Sequence, residues 1–376
     1  MKRVRVLDST IREGEQTPGV SFTSEEKLRL CAALDRAGVD AIELGHPGAA
    51  PDIDRAIALI ADARLRAELV VHCRTHPADV ERAGRLPVGR LALFLGTSPP
   101  HLEDKLRISQ GEALRRVGDT VAAAVATGKR VRFSAEDAFR TDPGFLTEVV
   151  AAAAAAGADH VGLPDTVGVA RPRTVRQVFS RVARAVPGVT LNAHCHDDLG
   201  MAVANTLAAV EGGATCVHVS VNGLGERCGL AAMAPVVMAL RLLDGVHTVD
   251  PAALVGLSSM VEDLSGVPVS PLAPVVGRHA FSHTGGVHTA GVTREPASYE
   301  PYPPELTGRC REVLVGKLAG RAAVAWRLAR LGVRVEPAEL GRLVEAVKGT
   351  GRPSLDDGAL LTLVAATNEG SNRAND

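Results

Sequence analysis

Three observations predict an α/β fold, a (β/α)8 TIM barrel followed by small, mostly helical C-terminal subdomains. Short strand-like runs recur about every 25–35 residues, the length of one βα unit. Helical patterns fill the intervals. Polar residues collect at the C-terminal ends of the runs, and in a closed barrel those ends converge on one mouth. A doubly wound open sheet is the rival; it would spread the same residues along a line at about 4.8 Å per strand.

The expected strands cover residues 5–8, 41–45, 69–73, 91–95, 131–136, 160–165, 190–196 and 217–222. The first helix is announced by a capping box, Thr23 with Glu26, ahead of Leu28, Cys31 and Leu34, and it stops at Gly38. Further helices are expected at 52–63, 111–127, 143–156, 174–185, 201–212 and 231–243, with Gly157, Gly188 and Gly213 in the turns that follow. After Val246 the pattern changes to a helix flanked by loops, then a Pro- and Gly-rich linker, a polar loop with Tyr299 and Tyr302, and helices near 319–331 and 337–347. The expected organisation is a barrel domain over 1–250, a linker with helical subdomains over 251–366, and a disordered tail over 367–376.

The 376 residues are 46% hydrophobic and 23% charged, with a net charge of −1. That balance suits a globular chain with a sizeable core and argues against nucleic-acid or polybasic membrane partners. Aromatics at 3% argue against base-stacking platforms. The six cysteines form no CxxC pair, so neither a disulfide framework nor a zinc ribbon is expected. No signal-peptide or membrane-spanning run is read, and a cytoplasmic location with reduced thiols is expected.

The chemistry concentrates in LNAHCHDDLG, residues 191–200. His194 and His196 stand two apart on a strand, so both rings face the same side. Paired imidazoles at a buried strand end need partners, and a divalent metal is one. A carboxylate must complete the set; Asp8 and Glu13 at the end of the first strand are both donors of the right kind. Nitrogen plus carboxylate oxygen suits Zn²⁺, Mn²⁺, Co²⁺ or Mg²⁺ without choosing among them.

Arg12 reads either as a surface ion pair with Glu13 or as a cation that stabilises charge on a carbonyl oxygen. Arg132, Ser134 and Glu136 alternate along one strand and face inward together, where the Arg and Glu can pair and read a ligand carboxylate. Asp137, Arg140 and Asp142 read as solvated loop charges. VNGLGERCGL lacks the spacing of a dinucleotide fingerprint and reads as a flexible loop, with Cys228 as a small packing residue. His283 and His288 in FSHTGGVHTAG are either incidental loop histidines or acid–base groups delivered over the mouth.

Six motifs in order, DSTIREGEQ, VRFSAEDAFR, DTVG, HCHDDLGMAVANTLAA, NGLGER and FSHTGGVHTAG, resemble the acyl-CoA-dependent Claisen synthases that include homocitrate synthase and 2-isopropylmalate synthase. The likeness is greatest to the homocitrate type. It implies a homodimer with exchanged C-terminal subdomains. It implies Glu13, His194 and His196 as metal ligands, with Asn222 at or near the metal. Arg12 would polarise the ketone of a 2-oxo acid, and Gln16 and Thr166 would line its site. Arg132, Ser134 and His72 would hold the acceptor's distal carboxylate. Glu136, with His288 and Tyr299 of the partner subunit, would manage proton removal from the methyl of acetyl-CoA, the co-substrate. Hydrolysis of the resulting thioester would release CoA.

The chain departs from the resemblance at Gly45-His46-Pro47, where the homocitrate type has Thr-Ser-Pro. His46 adds a possible cation to the acceptor pocket. 2-Oxoglutarate is the leading acceptor; oxaloacetate, or a phosphonate or phosphinate analogue of pyruvate, fits the same residues. A hydroxyacyl-CoA lyase of the same superfamily would rest on Cys228 as its catalytic thiol.

Overall fold

The computed structural model describes residues 3–373. Eight parallel strands close into a barrel in chain order. They are β1 Arg5–Asp8, β2 Ala41–Glu43, β3 Glu68–Arg74, β4 Arg90–Gly96, β5 Arg130–Glu136, β6 His160–Asp165, β7 Thr190–Cys195 and β8 Cys216–Val219. Closure is direct: β1 pairs with β8, Asp8 opposite Val219. This decides against the open sheet.

Helices follow the strands in turn: α1 Ser24–Ala37, α2 Pro51–Asp62, α3 Pro77–Gly84, α4 Gln110–Ala126, α5 Pro143–Ala155, α6 Pro172–Ala185, α7 Ala202–Glu211 and α8 Met233–Asp244. The capping box at Thr23 and Glu26 is formed, and Gly38 ends α1 at φ 92°. Helix α3 escaped the sequence pattern because its eight residues bury only Val80 and Ala83. A wide helical turn, Pro100–Leu106, also lay outside the expectation and carries His101 and Lys105.

On β5 the outward residues Val131, Phe133 and Ala135 are buried among core side chains, while Arg132, Ser134 and Glu136 face the barrel interior. Small inward neighbours, Ala41, Ala92 and Cys216, make room for the long Arg132. Gly162 on β6 makes room for Ser134, since a Cβ there would lie 2.5 Å from its Oγ.

The first compact unit runs to Val269, not to 250. Helix α9, Leu254–Ser265, packs against α1 and belongs to the barrel. The second unit begins at Ser270. It holds α10 Gly286–Arg294, α11 Arg321–Arg330, α12 Pro337–Gly349 and α13 Asp357–Arg373. Its core gathers Val313, Val324, Leu328, Leu343, Val347 and Leu360. Residues 367–373, expected as disordered, continue α13; residues 374–376 lie outside the described residues. No described helix is long and apolar enough to cross a membrane.

Candidate active site

The C-terminal strand ends surround a cavity of about 310 Å³. Eleven expected site residues line it: Arg12, Glu13, Gln16, His46, His72, Arg132, Ser134, Glu136, Thr166, His194 and His196. They come from loops or strands separated by up to 184 positions and meet because parallel strands aim their ends at one mouth.

Glu13 is the carboxylate that joins the two histidines. His194 Nε2 lies 3.8 Å from Glu13 Oε2, and His196 Nε2 lies 3.9 Å from Glu13 Oε1. The three ligand atoms fall within 4.8 Å of one another, and all three residues are buried. Burial lowers the pKa of both rings; beside His194, His196 and Arg12 add to the effect. Neutral imidazoles are the form a metal binds. His196 Nδ1 is buried with no hydrogen-bond partner. This buried donor set fits a divalent cation.

Asp8, the other carboxylate considered, faces elsewhere. Its oxygens accept from Thr10 N at 2.9 Å and Thr10 Oγ1 at 2.8 Å, and Thr10 Oγ1 accepts from Val221 N at 2.8 Å. Asp8 therefore ties the end of β1 to the loop after β8. Burial pushes its pKa up to about 7, against the Thr10 hydrogen bonds.

Arg12 is no surface pair. It is largely buried, contacts Glu13, and reaches Glu43 Oε2 with Nε at 2.7 Å and Nη2 at 2.6 Å. Glu43 also receives Ser9 Oγ at 2.7 Å and Arg132 Nη2. Burial raises the Glu43 carboxyl, but Arg12 and Arg132 outweigh it and hold the pKa well below the usual range.

The expected pairing of Arg132 with Glu136 is absent. Arg132 pairs with Glu43, whereas Glu136 meets Lys105 Nζ at 3.0 and 3.1 Å. His101 Nδ1 lies 3.4 Å from the same carboxylate. The sequence hid this because Lys105 arrives on the wide turn after β4.

His72 Nδ1 and His46 Nε2 lie 3.1 Å apart, and His72 stacks on Phe94 at 4.7 Å. Burial and the nearby Arg12 lower both pKa values, which works against the added cation expected at His46. Thr166 Oγ1 accepts from Asp137 N at 2.9 Å. Asp137 is itself buried and paired with Arg140, and Asp142 caps α5 through Gly144 N and Phe145 N. Asp137 is thus a buried structural charge, while Arg140 and Asp142 are exposed, as expected of loop charges, and have local partners.

The glycine-rich stretch is a pinned loop. Leu230 N donates to Gly223 O at 3.0 Å, Asp197 N to Gly229 O at 3.0 Å, and Gly229 has φ 92°. A Cβ on Gly229 would meet Gly223 O at 1.9 Å. Arg227 in this loop bridges Asp198 at 2.7 Å and Thr166 O at 2.8 Å, and lines the cavity with Glu226. Cys228 is exposed and does not pack.

Asn222 is not a wall of the cavity. Its Nδ2 donates to Ser258 O at 2.9 Å, while its Oδ1 is buried and unpartnered. His288 and Tyr299 belong to the second unit, where their rings stack at 4.3 Å on the exposed side of α10. Gly291 permits the stack, because a Cβ there would lie 2.4 Å from the Tyr299 ring. His283, by contrast, is tied to Glu300 at 3.1 Å, and Glu300 also holds Arg311.

Sequence reasoning missed His218 and Glu43 as site residues. His218 sits behind His194, Nδ1 to Nδ1 at 3.2 Å. Its signal was faint: one histidine at an inward position of a four-residue strand.

The HMGL-like family model matches residues 3–261, and a homocitrate synthase post-HMGL domain-like model matches 275–353. Homocitrate synthase of Saccharolobus solfataricus is 43% identical over 93% of this chain and 76% of its own length. That of Sulfurisphaera tokodaii is 42% identical over 92% and 76%. Among solved structures, the HMG-CoA lyase of Pseudomonas aeruginosa superposes with a TM-score of 0.63 at 25% identity, covering 71% of this chain and 95% of the lyase.

Proposed function

We propose, for a chain that belongs to the HMGL-like family and carries the homocitrate-synthase type of second domain, a metal-dependent synthase that condenses acetyl-CoA with 2-oxoglutarate to homocitrate. The observation that carries the reading is the convergence of Glu13, His194 and His196 beside Arg12, in a chain 43% identical to homocitrate synthases.

Glu13, His194 and His196 would hold a divalent cation, which would supply Lewis acidity toward the acceptor ketone; Zn²⁺, Mn²⁺, Mg²⁺ and Co²⁺ all suit the donors. Asn222, with a free buried amide oxygen, is the candidate fourth ligand. Arg12, fixed by Glu13 and Glu43, stabilises negative charge developing on the ketone oxygen. Gln16 and Thr166 bound the 2-oxo-acid end. Arg132, Ser134 and His72 take the distal carboxylate.

The acetyl methyl loses a proton, and Glu136, steadied by Lys105, is the group that receives or relays it. The resulting carbanion carbon bonds to the ketone carbon, and the ketone oxygen takes a proton to become the hydroxyl. Water then attacks the thioester carbonyl, the C–S bond breaks, and CoA leaves as the thiol. His288 and Tyr299 complete the acid–base set from the partner subunit of a homodimer. Six unpaired cysteines suit a reducing, cytoplasmic setting. Exposure of Cys228 away from the cavity wall disfavours the lyase.

One observation favours a second acceptor. His46 brings a second imidazole to the acceptor wall, and two imidazoles suit a phosphonate or phosphinate end. Thiol release from acetyl-CoA decides among 2-oxoglutarate, oxaloacetate, 2-oxoisovalerate, pyruvate and phosphonopyruvate. The highest kcat/KM is expected with 2-oxoglutarate. Phosphonopyruvate ranking first would select the second reading, and 2-oxoisovalerate ranking first would refute the anionic pocket altogether.

A further inference from the structure

We propose that His218 is a positioning residue that holds His194 for a divalent cation and, in doing so, gives up its hydrogen bond with Arg132. The inference rests on the metal reading of Glu13, His194 and His196, and is independent of the acceptor.

The argument begins at Asn192. Its Nδ2 lies 2.9 Å from Thr190 O and 3.5 Å from Val161 O, so the amide cannot flip without losing two acceptors. Its Oδ1 therefore faces His218 Nε2 and His160 Nδ1, each at 3.3 Å. His218 Nε2 is also 3.2 Å from Arg132 Nη1, and His218 Nδ1 is 3.2 Å from His194 Nδ1. Arginine only donates and the Asn192 oxygen only accepts. A neutral imidazole carries one N–H, so Nε2 serves one of these neighbours at a time.

Two proton arrangements follow. In the first, His218 Nε2 accepts from Arg132, Nδ1–H donates to His194 Nδ1, and His194 carries its own proton on Nε2, toward Glu13. In the second, His194 carries its proton on Nδ1 and donates it to His218 Nδ1, while His218 Nε2–H donates to Asn192 Oδ1. Each ring holds one proton in both. Only the second leaves His194 Nε2 bare for a cation, so cation binding there selects it. Arg132 Nη1 then loses its acceptor. Its Nε is already buried without a partner, and Nη2 stays with Glu43. Loading the metal end thereby frees Nη1, so that two guanidinium nitrogens, Nε and Nη1, stand without partners beside the cavity that Arg132 lines.

The test uses the full chain with ¹⁵N-labelled histidines, stripped of metal and then loaded with Zn²⁺. The His218 resonances are expected to move from the Nδ1–H to the Nε2–H tautomer on loading. The same tautomer in both forms would overturn the proposal. Competition with a chelator supplies a second measurement. Zn²⁺ affinity is expected to fall about 10–100-fold in His218→Leu and to recover in part in His218→Gln, whose amide oxygen can accept from His194. Unchanged affinity in a folded His218→Leu chain would also overturn it; should that variant not fold, His218→Gln and the spectra decide. A wild-type chain that binds no Zn²⁺ defeats the metal reading itself. Zn²⁺ binding without a change at His218 overturns this proposal and leaves the metal reading standing.

Discussion

Two buried arginines on neighbouring strands, Arg90 on β4 and Arg132 on β5, are 2% and 1% exposed, yet their surroundings differ in kind. At the N-terminal end of the barrel, Arg90 is saturated. Its Nε meets Glu68 at 2.9 Å, and both Nη atoms engage Asp159, Nη2 at 3.0 Å. Arg5 and Arg130 reach the same Glu68 at 3.0 and 2.9 Å. Toward the mouth, Arg132 keeps an unpartnered Nε, and His196 and Asn222 keep unpartnered atoms of their own. Buried polar atoms without partners cost stability. Those three lie where a ligand can complete them, while every guanidinium nitrogen of Arg90 has a carboxylate partner. One end of the barrel is built to hold the fold and the other to hold something else.

The strongest attack on that contrast is Glu13→Gln. It removes the charge that joins the two histidines, so kcat is expected to fall by about a thousandfold with loss of bound metal, read by thiol release and metal content. Arg90→Met attacks the other end. Leaving Glu68 and Asp159 without it should cost about 3 kcal/mol of stability by denaturant titration, with kcat of the folded fraction unchanged. Lost activity at retained stability would abolish the division of labour. Arg132→Gln should give the opposite result: about 10–100-fold lower kcat/KM for a dicarboxylic acceptor, the worth of a charged hydrogen bond, and a smaller change in stability, because Glu43 keeps Arg12 and Ser9.

The remaining prediction concerns the pH dependence at Asp8, away from the cavity wall. Its folded pKa, about 7, lies above the ordinary 3.8. Such a group contributes stability that is complete below 3.8 and is lost as pH rises through about 7. Asp8→Asn should flatten that slope in urea midpoints measured across this window. An unchanged slope would mean that Asp8 is ionised in the fold.

Much of the barrel was legible because parallel βα units repeat and their polar ends mark the mouth. The histidine pair on β7 was legible because a strand repeats every two residues. Helix α3 was not, since two buried residues make no period. Nor was the partner of Glu136, because Lys105 lies on a turn with no sequence signature. The glycines after β8 announced a loop, but their close approaches, invisible in one dimension, make it rigid.

Chain order and residue type alone determined the eight units, the first helix and its cap, and the two imidazoles on one face, because each depends on neighbours a few positions apart. Tertiary structure decided which carboxylate joins those imidazoles, which acid each arginine takes, and that His218 stands behind His194. Those choices compare distances across the barrel between residues far apart in sequence, and only closure of the sheet sets them.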